Sequence, residues 1–146
     1  MGTYVFDRSA KKRAYDHINH QPEGKVDMVF LGCPHATLYE IKEISQLIKG
    51  HRVAKGTQFW VMTAHSIRAS AERLGYAQVI EESGGEVFAD GCLLVYYMHF
   101  HAKMPNLGRV ATDSAKQALG VRRSFRSNAF FGDTKRCVQA AIEGGV

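Results

Sequence analysis

Short, almost uninterrupted apolar runs that alternate with amphipathic helical segments set the terms on which this chain can fold. Val26–Leu31 (VDMVFL) ends at Gly32, and Phe59–Met62, Glu86–Ala89 and Arg109–Thr112 follow at intervals filled by helix-like spacing. A strand apolar on both faces is one covered on both faces, which is the habit of a parallel sheet wrapped by helices. Thr37 and Glu40 have capping-box spacing, and Leu38, Ile41, Ile44 and Ile48 then form one apolar stripe ending near Gly50. Helices are also expected over Asp7–Asn19, from Ser66 to Gly75, over Tyr76–Glu82, from Asp113 or Ser114 through Ala118, and from Thr134 with Asp133 beside it to Gly144. Leu93–Tyr97 reads equally as strand or helix. The expected fold is α/β: a three-layer, mostly parallel sheet with helices on both faces, as a single domain. Residues 1–25 read as an N-terminal helix and linker, and 26–146 as the α/β domain.

Composition narrows the function classes. No apolar run approaches the roughly 20 residues of a bilayer span, and the polar start has no secretory h-region, so a cytoplasmic location without membrane contact is expected. Three widely spaced cysteines do not form a disulfide framework. The net charge of +5 is concentrated at Lys11-Lys12-Arg13 and at Arg122, Arg123 and Arg126, outside any nucleic-acid-binding motif. Nucleic acid is therefore not an expected partner. Neither a dinucleotide glycine fingerprint nor a phosphate-binding P-loop follows any candidate strand.

Ligands of open α/β sheets bind at the carboxyl ends of strands. Here these ends carry Gly32-Cys33-Pro34-His35, Met62-Thr63-Ala64-His65-Ser66, Asp90-Gly91-Cys92 and Thr112-Asp113-Ser114-Ala115-Lys116. Cys33 and Cys92 each lie just past a strand, and three roles stand open for them: small buried hydrophobes, soft metal ligands, or, for Cys33 with His35, a nucleophile at a helix start. His99-x-His101 has the spacing of a zinc pair but no third ligand beside it. Cys137 falls on an apolar helix stripe and reads as core.

Taken in order, these segments resemble the aconitase X family. Gly-Cys-Pro-His at 32–35 is similar to that family's G-C-P-H segment. Thr63 with its strand is similar to W-V-x-T-S, Ala89-Asp90-Gly91-Cys92 to D-T-C, and Thr112-Asp113-Ser114-Ala115-Lys116 to T-N-S-x-K. Ala-Glu-Arg-Leu-Gly-Tyr at 71–76, Gly84-Gly85 and Cys137-Val138 continue the likeness, which runs from about Val26 to the end. The resemblance implies a partial hydro-lyase, a dehydratase acting on a small anionic hydroxy acid through an iron–sulfur cluster. It implies Cys33 and Cys92 as cluster ligands, Ser114 and Lys116 as catalytic groups at an anionic part of the substrate, and Thr63, Ser66 and His35 as substrate-binding residues. It further implies that a partner chain or an N-terminal region completes the site, and that the isolated chain is inactive. Three features depart from the pattern: His65 in a basic place, Asp113 where the family has an amide, and the stretch Tyr96–Asn106. Asp113 and His65 favour the alternative of a non-catalytic binding or assembly subunit that keeps the α/β scaffold.

Overall fold

A computed structural model describes residues 3, 5–19, 23–100 and 107–146. The apolar run opening at Val26 becomes β1 (Met28–Ala36), the central strand of a five-stranded sheet in the order β3-β2-β1-β4-β5. Its neighbours β2 (Gln58–Thr63) and β4 (Arg109–Thr112) both pair with it in parallel. Parallel pairing continues outward to β3 (Glu86–Ala89) and β5 (Asn128–Phe131). The chain thus builds β1, β2 and β3 in one direction, then returns past β1 to build β4 and β5 in the other. β5, Asn128-Ala129-Phe130-Phe131, is not among the strands expected from the sequence.

The pleat of β1 explains why both sheet faces are covered. Val29 and Leu31 enter one core with Phe59, Val61, Val87, Ala111 and Phe130. Met28 and Phe30 enter the other with Trp60, Met62, Val110 and Ala129. The first core is roofed by α2 (Leu38–Ile48), α3 (His65–Arg73), α4 (Tyr76–Glu82) and α7 (Thr134–Glu143). The second is roofed by α1 (Arg8–Ile18), α5 (Leu93–Phe100) and α6 (Ala115–Phe125). Three layers result, as expected. α1 is held to the sheet by Ile18 in this second core and by Asn19, whose side chain donates to the Phe131 carbonyl at 2.8 Å and accepts from the Phe131 N–H at 2.6 Å.

Local signals placed most helix starts. Thr37 and Glu40 form the capping box at α2, with Thr37 N–H donating to the Glu40 carboxylate at 2.7 Å and Glu40 N–H to the Thr37 hydroxyl at 3.3 Å. At α7 the cap is Asp133, which accepts from Arg136 N–H at 2.8 Å, while the Thr134 hydroxyl donates instead to Asp113 at 3.0 Å. The ambiguous Leu93 segment is helical: Tyr96 N–H donates to the Cys92 carbonyl, and Leu93 is fully buried.

The register of β1 breaks where its apolar run ends. Between the pairs Leu31–Val61 and Ala36–Thr63, β1 takes five steps while β2 takes two, so Gly32–His35 bulges out of the ladder. Gly32 has φ +89, and a Cβ there would lie 2.1 Å from the Met62 carbonyl oxygen. Gly32→Ala therefore meets both an unfavourable φ and a backbone clash, and is expected to lower unfolding free energy by about 3 kcal/mol or more, read from the urea midpoint.

Candidate functional site

Where the strand order reverses, the loops leaving neighbouring strands turn away from one another and open a crevice at the carboxyl edge. In this sheet the reversal lies between β1 and β4. The β1 bulge projects Cys33, Pro34 and His35 over that edge. Ser114 caps α6 directly after β4, its hydroxyl accepting from Gln117 N–H at 3.3 Å, which brings Lys116 and Gln117 to the same crevice. The loop after β3 joins them through a contact of 2.9 Å between His35 Nε2 and the Gly91 carbonyl. A carbonyl only accepts, so Nε2 is the donor in this contact.

Two cavities flank the bulge. One, of about 280 Å³, is lined by Cys33, His35, Gly91, Cys92, Lys116 and Gln117 among others. The other, of about 260 Å³, is bounded by Cys33, His35, Thr37, Glu40, Asp113 and Thr134. Both Cys33 and Cys92 are half-buried thiols without a disulfide, so the fold brings to one wall two cysteines that lie far apart in sequence. Cys137 is fully buried in α7, and burial pushes its thiol well above the ordinary range, with Asp113 adding to the effect. Among the described residues, no three of His, Cys, Asp and Glu come together to hold a metal ion. His101 and the side chain of His99 lie outside the described residues.

The other expected site residues are placed differently. Thr63 is completely buried, and its hydroxyl donates to the Ala36 carbonyl at 2.6 Å, closing the far end of the bulge. It lines neither cavity, and neither does Ser66, which is exposed in the first turn of α3. Ser114 is buried and occupied as a cap, leaving Lys116 as the exposed cation of that segment. His65 is exposed, and its N–H donates to the Asp90 carboxylate at 3.0 Å, so Asp90 serves α3 as a cap from across the sheet edge. Gln117, Glu40 and Thr134 were not expected in the site. Gln117 had one signal: it is a polar residue on the buried stripe of α6 beside Ala118 and Val121.

Asp113 carries the main electrostatic perturbation of the crevice. Burial raises its pKa above the ordinary 3.8, and Glu40 adds to this, against the Thr134 hydroxyl and the Asp113 backbone N–H, which stabilise the carboxylate.

The model of the aconitase X third domain matches residues 26–143. The phosphomevalonate dehydratase large subunit of Methanocaldococcus jannaschii is 35% identical over 130 residues, covering 88% of this chain and 30% of that protein. The 3-isopropylmalate dehydratase large subunit of Synechocystis sp. is 30% identical over 147 residues, 96% of this chain and 31% of that protein. The crystal structure of Thermococcus kodakaraensis aconitase X in its holo-form superposes with a TM-score of 0.78 at 27% identity, over 95% of this chain and 34% of that chain. This chain thus spans about a third of the length of the proteins it matches.

Two outcomes are expected. In native protein a thiol reagent titrates Cys33 and Cys92, and Cys137 reacts only after denaturant is added; native labelling of Cys137 would contradict its placement. Because the folded-state pKa of Asp113 is raised, the folded protein holds that proton more tightly than the unfolded chain does. The associated stability is fully present below the unfolded pKa and is lost as pH rises through the folded one. Asp113→Asn removes this loss, so its melting temperature at pH 7 should equal or exceed the parent's, and a clear drop would refute the burial argument.

Proposed function

The chain belongs to the aconitase X family through its third domain, and from that premise we propose that it contributes one wall of a hydro-lyase active site acting on a small anionic hydroxy acid. The observation that carries this is the meeting of Cys33, Cys92 and Lys116 on one cavity at the point where the strand order reverses. Two thiolates suit an iron–sulfur cluster by ligand chemistry. Two are fewer than a cluster needs, so the proposal assigns the remaining ligation, and much of the pocket, to another region or a partner chain. The relatives named as large subunits support that division of the site. When bound, such a cluster supplies a Lewis-acidic iron for the departing hydroxyl.

The chain's own residues act around that centre. Lys116, in the first turn of α6, holds a carboxylate or phosphate with its ammonium, and the Ser114 cap fixes the turn that carries it. His35, with Nε2 anchored on Gly91, offers Nδ1 when neutral as a proton acceptor at the cavity rim. Phe30 closes the floor and limits water. Asp113 faces the adjoining cavity rather than the one that holds Lys116, so its carboxyl stands apart from the proposed anion position. We assign the protein to the cytoplasm, and no helix among the described residues is long and apolar enough to cross a membrane.

A second reading, a binding or assembly subunit without catalysis, is favoured by Asp113, an acid standing where the family pattern has an amide, and by the exposed His65 in a basic place. One experiment separates the two. Anaerobic reconstitution with iron and sulfide, together with the partner region of a related dehydratase, should give a brown absorbance that falls to background in Cys33→Ser and in Cys92→Ser. A colourless parent complex, or colour unchanged in both variants, would leave only the binding reading.

A further inference from the structure

Gln117 is a polar side chain where α6 otherwise turns an apolar face to the sheet. It is fully buried between the core residues of that helix, yet neither its Oε1 nor its Nε2 has a hydrogen-bond partner among the described residues. Burying both ends of a carboxamide unpaired is unfavourable, and an apolar side chain of the same length would avoid it. Gln117 is nevertheless one of the residues that border the cavity of Cys33, Cys92 and Lys116. Its backbone is pinned there, because Gln117 N–H is the donor to the capping Ser114 hydroxyl. An unpaired amide bordering a cavity is complementary to a ligand that brings its own donor and acceptor.

We propose that Gln117 is a specificity-determining residue of this cavity, reading the hydroxyl and carboxylate of a small hydroxy acid through its carboxamide. The inference rests on the reading of the cavity as a dehydratase wall. A carboxamide presents one carbonyl that accepts and an NH2 that donates. Oε1 accepts from the ligand hydroxyl, Nε2 donates to a carboxylate oxygen, and the neighbouring Lys116 supplies the charge that selects an anion. A ligand lacking the hydroxyl leaves Oε1 unpaired, which is how a buried polar group discriminates against an analogue.

The test uses thermal unfolding of the complete chain with two probes: malate, and succinate as the same dicarboxylate without the hydroxyl. Ligand-free Gln117→Met should melt higher than the parent by about 3 °C, since it removes two unpaired polar atoms without opening a cavity. Millimolar malate should raise the parent's melting temperature more than succinate does, and Gln117→Met should lose that difference. A Gln117→Met chain that melts lower or does not fold, a parent that responds equally to both acids or to neither, or a variant that keeps the malate preference overturns the proposal. Failure of iron incorporation would instead remove the cluster reading, and these shifts, measured on iron-free protein, would be unaffected.

Discussion

At Gly32 the backbone of the central strand runs so close to the Met62 carbonyl that even one methyl group would not fit between them. The approach is possible because β1 and β2 are tightly paired up to Leu31–Val61. Beyond it β1 must leave the ladder, since its bulged residues have no partner positions on β2. Thr63 then recaptures the strand at Ala36 with a buried hydrogen bond. Between these two anchor points Cys33, Pro34 and His35 stand out over the sheet edge, and both cavities depend on that projection.

The same central strand sets the architecture. With Val29 and Leu31 on one face and Met28 and Phe30 on the other, β1 requires cover on both sides, and two separate cores form around it. Helices fill both layers only if the chain reverses its direction of strand addition. That reversal places the loop of β4, with its capped helix, beside the loop of β1. The crevice is thus a by-product of burying the central strand twice.

Much of this was legible in the amino-acid order. The strands β1 to β4, the capping box of α2 and the core position of Cys137 follow from apolar runs, cap spacing and stripe periodicity, all of which act within a few residues. The α7 cap and the site roles expected of Thr63 and Ser66 were less legible. Asp133 and Thr134 are both competent caps, and the choice fell to Asp133 because Asp113, distant in sequence, takes the Thr134 hydroxyl. Thr63 reads as a polar residue at a strand end, but the pleat turns it inward, where only the bulge can satisfy its hydroxyl. β5 becomes a strand through its parallel pairing with β4 along Arg109–Thr112.

By itself, then, the sequence determined that helices and buried strands alternate here and that cysteine, histidine and lysine cluster at the carboxyl ends of those strands. These properties depend on local periodicity and local hydrogen bonding. Only the tertiary structure decided that Cys33 and Cys92 share a cavity wall with Lys116, that Asp90 caps a helix begun at His65, and that Gln117 borders that cavity with its buried amide unpaired among the described residues. Strand order and side-chain direction are settled by burial across the whole sheet, through contacts between segments tens of residues apart, so no local pattern encodes them.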